Sequence, residues 1–131
     1  MFVDASALVA IIAEESDGSV LAARLHGASR SYTSSIAIYE ASLGLARIRD
    51  TIVAAAETVV NRLLGEMQTE VIPITAEIGR GAIETFERFG RGNHPARLNM
   101  GDCFAYACAR SLGVPLLFKG DDFSQTDIAV G

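Results

Sequence analysis

The sequence predicts an α/β fold in which short parallel strands form a central sheet flanked by helices. Two observations support this class. Short apolar runs alternate along the chain with longer segments of helical periodicity. Hydrophobic residues make up 50% of the chain, which indicates strands buried on both faces or an oligomer interface. Because 131 residues suffice for one core, we expect a single domain over residues 1–131.

Five strands and six helices follow from these patterns. The predicted strands are short apolar runs at residues 2–3, 30–33, 71–74, 114–118 and 128–130. Helices are predicted between them at residues 6–15, 19–27, 35–49, 51–69, 75–89 and 100–112. We expect these runs to form a parallel sheet of four to five strands.

Polar residues that precede the apolar stripes predict where several helices begin. Ser6, Ser34 or Ser35, Thr51, Thr75 and Asn99 are the expected capping residues. The apolar stripe of the third helix consists of Ile36, Tyr39, Leu43 and Ala46, and that of the fourth of Ile52, Ala55, Val59, Leu63 and Met67. We expect both stripes to face the core.

Charge and cysteine content exclude several classes of protein. The formal net charge of −5 lacks the basic footprint that is typical of a DNA-binding domain. Cys103 and Cys108 lie on one predicted helix, too far apart for a disulfide and without metal-binding spacing, so we expect two free core residues. No apolar run approaches the ~20 residues that a membrane helix needs. The apolar run from Ala7 to Ala13 has no basic segment before it, so we do not expect it to be a signal peptide. We therefore expect a cytoplasmic protein.

Acidic residues follow the predicted strands at several separate places. Asp4 follows the first strand, Glu40 lies on the helix after the second, and the pair Asp121 and Asp122 follows the fourth. Asp102 lies in the first turn of a helix that leads back into the fourth strand. Because parallel strands share one carboxyl edge, where ligands of open α/β sheets bind, we expect these acids to converge there.

Such a cluster favours a divalent cation, although each acid also has a purely structural interpretation. Clustered carboxylates raise one another's pKa, and all-oxygen ligation suits Mg²⁺ or Mn²⁺ rather than structural zinc. Alternatively, Asp4 caps the first helix and Asp102 pairs with Asn99 in a capping box. The Asp121–Asp122 pair is also typical of an ordinary turn, whereas Glu40 lies in an apolar helix and needs a partner.

Four segments, Phe2–Leu8, Ile38–Ser42, Leu98–Ala107 and Pro115–Ile128, together span the whole chain. Their order and spacing resemble those of PIN-domain proteins, of which VapC-like toxins of bacterial type II toxin–antitoxin systems are the nearest type. The resemblance implies a PIN-like three-layer fold and a Mg²⁺- or Mn²⁺-dependent endoribonuclease of the hydrolase class. It also implies a VapB-like antitoxin as partner, and a homodimer that forms a heterotetramer or larger assembly with it.

The resemblance also implies roles for individual residues. Asp4 and Asp102 would be the main metal ligands, Glu40 a third acid that holds the metal or orients water, and Ser6 a hydroxyl that supports Asp4. Many relatives have an acid where this chain has Gly120, so the fourth acid is open. Asp121 is expected to reach the site from the neighbouring position, with Asp122 as the alternative.

Basic residues near the acids are candidates for binding the RNA backbone. Arg88, Arg91, His94 and Arg97 precede Asp102, and Arg47 and Arg49 end the helix of Glu40. Solvated arginines that pair with local acids are an equally good interpretation. Two alternatives to a nuclease are a catalytically inactive PIN-type module that binds a partner, and a phospho-acceptor α/β domain.

Overall fold

The computed structural model describes all residues from Met1 to Gly131 and contains a four-stranded parallel sheet. Its strands are β1 (Phe2–Val3), β2 (Tyr32–Ser34), β3 (Glu70–Ile72) and β4 (Leu116–Leu117). They are arranged in the order β3-β2-β1-β4, and every pairing is parallel. Val130 adds one isolated bridge to Leu116, so the fifth predicted strand is reduced to a single pair. The predicted fold class is confirmed.

Six helices flank the sheet. They are α1 (Ala5–Ile12), α2 (Gly18–Gly27), α3 (Ser35–Arg49), α4 (Val53–Glu66), α5 (Ala76–Phe89) and α6 (Met100–Leu112). None of these helices has the length and apolar character needed to cross a membrane. A single 3-10 turn at Phe123–Gln125 follows the loop after β4.

The two faces of the sheet carry separate cores because successive strand residues point to opposite sides. Phe2 and Leu116 pack against α5 and α6, whereas Val3 and Leu117 pack against α1 to α4. All four side chains are fully or almost fully buried. Strands β1 and β4 are therefore apolar and buried on both faces, which agrees with the high hydrophobic content of the chain.

Most predicted helix starts are confirmed, but two capping residues are wrong. Ser34 and Thr75 cap α3 and α5 through their hydroxyl oxygens. Helix α1 is capped by Asp4 rather than Ser6, whose backbone N–H donates to the Asp4 carboxylate. Helix α4 begins after Ile52, with no side-chain cap from Thr51.

The apolar stripes of α3 and α4 lie about one residue away from their predicted positions. Tyr39 is 63% and Ile52 is 72% exposed, although both were expected to face the core. The buried residues of these helices are Ala37, Ala41, Ser42, Leu45 and Ala46 of α3 and Ala56, Val60 and Leu64 of α4. Small residues face the core because helices α1, α3 and α4 pack closely together.

Both cysteines are free and buried on α6, as predicted.

Pro73 follows the edge strand β3 directly, where the missing N–H of proline costs no ladder hydrogen bond.

Candidate active site

Asp4 lies at the carboxyl end of β1 and caps α1 at the same time. Its backbone N–H donates to the carbonyl oxygen of Leu117 at 3.0 Å, which fixes it beside β4. Its side chain accepts hydrogen bonds from the backbone N–H and the hydroxyl of Ser6, at 3.0 and 2.5 Å. The residue is only 4% exposed. Capping and membership of an acid cluster, considered as alternatives from the sequence, are thus both present.

Burial raises the pKa of the Asp4 carboxyl above its usual range, because a charged carboxylate is poorly solvated there. The hydrogen bonds from Ser6 and from the Ala5 N–H lower this pKa, and the charge of Asp122 raises it. Burial has the largest effect, so the carboxylate of Asp4 is held in its position at an electrostatic cost.

Glu40 extends from α3 towards the same place. Burial, followed by the charges of Asp4 and then Asp102, raises its pKa to about 7. The carboxylate lies against the backbone of Gly101, where an added Cβ atom would come within 2.1 Å of both carboxylate oxygens. Glycine at this position therefore makes room for the Glu40 carboxylate at the start of α6.

Asp102 lies in the first turn of α6 and forms the capping box with Asn99. The Asn99 N–H donates to Asp102 Oδ2 at 3.0 Å, and the Asp102 N–H donates to Asn99 Oδ1 at 2.9 Å. Burial raises the pKa of Asp102 to about 6, the Asn99 hydrogen bond opposes this, and the charges of Asp4 and Asp122 add to it. The capping interpretation is confirmed, and Asp102 is also electrostatically coupled to the other acids.

The loop after β4 contributes Asp122 to these interactions. Asp122 is the loop acid whose charge raises the pKa of both Asp4 and Asp102. Asp121 and Asp122 are both exposed, and the backbone carbonyl of Asp121 accepts hydrogen bonds from the N–H and hydroxyl of Ser124. The structure therefore couples Asp4, Glu40, Asp102 and Asp122, while the role expected for Asp121 remains a prediction.

The donor set of this site fits a hard divalent cation. All four side chains offer carboxylate oxygens, and none of them forms an ion pair with Lys or Arg. No three Asp, Glu, His or Cys side chains stand close enough to chelate an ion by themselves. Mg²⁺ is commonly held by one or two carboxylates with water completing the shell, which agrees with this arrangement.

The basic residues that the sequence offered for RNA binding are of two kinds. Arg88 pairs with Asp127 and Arg49 donates to the Ile12 carbonyl, so both guanidinium groups have partners within the protein. Arg91 and Arg97 are exposed on the loop between α5 and α6 and form no ion pair. His94 Nδ1 accepts a hydrogen bond from the Ala96 N–H, which gives this side chain a structural role.

Residues 1–129 match the PIN domain family. The chain belongs to the PIN-domain family. Ribonuclease VapC42 of Mycobacterium tuberculosis is 41% identical over 129 residues, which cover 98% of this chain and 96% of that protein. A VapC ribonuclease of Rhizobium meliloti is 35% identical over 139 residues, covering 97% and 98% of the two chains. Ribonucleases of this kind generally depend on a divalent metal ion.

Solved structures agree on the fold of this PIN domain. VapC20 of Mycobacterium tuberculosis, described as a toxin that cleaves the sarcin-ricin loop, superposes with a TM-score of 0.78 at 21% identity. The alignment covers 98% of this chain and 95% of VapC20. A toxin–antitoxin complex from Klebsiella pneumoniae has a TM-score of 0.72 at 16% identity and covers 99% of this chain and 95% of that one. The resemblance to VapC-like PIN proteins is confirmed.

Two features of the site were not predicted from the sequence. Gly101 provides space for the Glu40 carboxylate. The one signal in the sequence that could have indicated this is a glycine in the first turn of a helix, where glycine is otherwise unfavourable. Lys119 contacts Glu15 and Asp17 next to the site. No local pattern indicates this contact, because the partners lie 104 residues apart.

Proposed function

We propose that the protein is a divalent-metal-dependent endoribonuclease and the toxin of a type II toxin–antitoxin module. The observation that carries this proposal is the convergence of four acids without cation partners, drawn from distant segments of a PIN-domain chain. RNA is the proposed substrate because the curated relatives are named as VapC ribonucleases. A cytoplasmic location follows from this function.

Each acid has a proposed role. Asp4 and Asp102 would hold Mg²⁺ or Mn²⁺. Asp122 would assist them as the fourth acid, the role for which the sequence favoured Asp121. A bound ion of this kind lowers the pKa of water and neutralises charge on a phosphodiester. Glu40 would be a third acid that holds the ion or orients the attacking water, since its carboxylate lies at Gly101 and the charges of Asp4 and Asp102 act on it. Ser6 keeps the Asp4 carboxylate in one orientation through its two hydrogen bonds.

The substrate side of the proposal rests on Arg91 and Arg97. Both guanidinium groups are exposed and form no ion pair, so they are available to phosphate oxygens of RNA. Their loop is anchored at both ends by the bridge between Gly90 and Leu98. Backbone contacts of this type give affinity without sequence selection.

Partners of the protein are proposed to be a VapB-like antitoxin and a second copy of the chain, in a heterotetramer or larger assembly. Apolar side chains on α5 and α6 support this, since Ile83 is 66% and Met100 is 64% exposed. Exposed apolar surface of this kind is typical of protein contacts. Light scattering after gel filtration, with and without a co-expressed antitoxin, tests the proposed assembly.

Cleavage of RNA by the purified protein tests the catalytic part of the proposal. We expect cleavage with Mg²⁺ or Mn²⁺, its loss when EDTA removes the ion, and its recovery when excess ion is added back. Cleavage that persists unchanged in EDTA contradicts the metal-dependent mechanism.

A catalytically inactive PIN-type module remains the second candidate, because no three side chains form a ready chelate. Calorimetric titration with Mg²⁺ and Mn²⁺ separates the two candidates, since an inactive module is expected to bind neither ion. Membership of the PIN-domain family removes the reason for considering a phospho-acceptor domain.

A further inference from the structure

Lys119 is the only lysine of the chain and lies in the loop that leads from β4 to Asp122. Its ammonium group contacts the carboxylate of Glu15 and lies 3.5 Å from Asp17 Oδ1. Both acids belong to the turn between α1 and α2. One side chain therefore joins the loop that carries Asp122 to the segment that follows the helix of Ser6.

The backbone of the same residue contacts the acid site. The Lys119 N–H donates to the hydroxyl oxygen of Ser6 at 3.0 Å, and this hydroxyl donates to Asp4 Oδ2 at 2.5 Å. Because the Lys119 N–H occupies an acceptor position of the Ser6 oxygen, the proton of Ser6 is directed to Asp4. A continuous set of contacts thus runs from Glu15 through Lys119 and Ser6 to Asp4.

The carboxylate of Asp17 provides a second observation on the surroundings of the Lys119 ammonium group. Its Oδ1 atom is buried and has no hydrogen-bond partner, and the ammonium of Lys119 is the only cation paired with it. The side chains of Lys119 and Glu15 are 35% and 28% exposed. Ion pairs with this much solvent access contribute little to folding stability, so stability alone does not explain the arrangement.

We propose that Lys119 is a positioning residue of the nuclease site. Its ion pair with Glu15 holds the loop after β4 against the turn between α1 and α2, which keeps the Lys119 N–H on Ser6 and Asp122 beside Asp4. This inference rests on the proposed function, because the acids it positions are those assigned to the metal ion.

The test compares Lys119→Met with Lys119→Arg and with a control that removes a cation elsewhere. Arg30→Met is that control, because the ion pair of Arg30 with Glu70 is exposed and involves none of the site acids. Mg²⁺ affinity is measured by calorimetry, together with the Mg²⁺ concentration for half-maximal RNA cleavage. We expect Lys119→Met to weaken affinity by about ten-fold, as removal of a residue that supports metal ligands does. Lys119→Arg and Arg30→Met should stay within about two-fold of the parent.

A double-mutant cycle identifies the contact through which Lys119 acts. Glu15→Gln should weaken Mg²⁺ binding as much as Lys119→Met does, and the double variant should be no weaker than either single variant. If Lys119→Met also lowers the melting temperature, Glu15→Gln provides the same comparison with the lysine intact. Full additivity of the two losses overturns the proposed contact.

Failure of this inference is distinguishable from failure of the proposed function. If Lys119→Met and Arg30→Met bind Mg²⁺ equally well, the positioning role is overturned while the nuclease proposal stands. If the parent protein binds Mg²⁺ but cleaves no RNA, the proposed function fails and the affinities still decide the role of Lys119. A parent protein that binds no divalent ion overturns both.

Discussion

The acid site and the C-terminal acid Asp127 use the same side-chain chemistry in opposite electrical settings. Asp127 accepts hydrogen bonds from the Tyr106 hydroxyl and, at 3.0 Å, from Arg88, and these contacts lower its pKa. Asp102 has no cation partner, and burial raises its pKa to about 6. Asp127, which has a structural role, is therefore paired with a cation, whereas the acids at the carboxyl edge of the sheet have none.

Replacing Asp4 of the acid site and Asp127 by asparagine, one at a time, should give the largest difference in RNA cleavage. Asp4→Asn is expected to lower RNA cleavage by more than ~100-fold without unfolding the protein, since removal of a buried, unpaired charge relieves a desolvation cost. Asp127→Asn should leave cleavage within about two-fold and lower the unfolding free energy by ~0.5 kcal/mol, because its exposed ion pair is strongly screened. Initial cleavage rates and urea unfolding measure the two effects. Cleavage by Asp4→Asn at the parent rate would show that the assignment of Asp4 is wrong.

The close approach of Glu40 to Gly101 can be removed without changing any charged residue. Gly101→Ala places a methyl group where the Glu40 carboxylate lies, so the flexible acid must move while the helix gains a better helix former. We expect cleavage to fall by ~10-fold or more and the melting temperature not to fall.

Gly65→Ala on α4 is the matched control for this substitution. A Cβ atom at Gly65 meets no atom within 4 Å, so this variant should be slightly more stable and fully active. Equal cleavage rates for the two alanine variants would contradict the role given to Gly101.

Variants of the two loop acids test which of them is the fourth acid of the site. The sequence favoured Asp121, whereas the charge interactions in the structure involve Asp122. Asp122→Asn should weaken cleavage by about ten-fold, because the charge of Asp122 acts on both Asp4 and Asp102. Asp121→Asn should change it by less than about two-fold. Mg²⁺-dependent cleavage rates of both variants decide between them, and the reverse order would restore Asp121 as the fourth acid.

The pH dependence of stability should differ in sign between the two settings. Glu40 has a pKa of about 7 in the folded protein against an ordinary value of 4.5, so the folded state holds its proton more tightly. Its stability contribution is fully present below about pH 4.5 and is lost as pH rises through about 7. Asp127 behaves oppositely, since its lowered pKa gives a contribution that is present above 3.8 and lost as pH falls.

Urea unfolding of the metal-free protein at about pH 5 and about pH 8 measures the Glu40 effect. The loss of unfolding free energy between these pH values should be larger in the parent than in Glu40→Gln by on the order of 1 kcal/mol, after allowance for solvent at this half-buried side chain. The loss that stays in Glu40→Gln belongs to Asp102, whose pKa is about 6. Identical pH profiles of the parent and Glu40→Gln would exclude this source of the dependence.

Local chemistry explains why much of the fold was predictable. The pairing of Asn99 with Asp102 and the caps Ser34 and Thr75 depend on residues within one turn, so their patterns are readable in the chain itself. The stripe of α4 was misplaced because Ile52, Val59 and Leu63 have the right spacing, and only the packing partners decide which of two neighbouring stripes is buried.

Local patterns in the chain were enough to predict that acids accompany the strands of a parallel sheet and that Asp4, Glu40 and Asp102 approach one edge of it. The interaction of Asp122 with them, the space that Gly101 leaves for Glu40 and the pairing of Lys119 with Glu15 depend on packing between distant segments. The two groups of features differ in the range of the interactions behind them. Caps and periodicity act within a few residues, whereas these contacts join residues tens to a hundred positions apart, and only loop packing sets their distances.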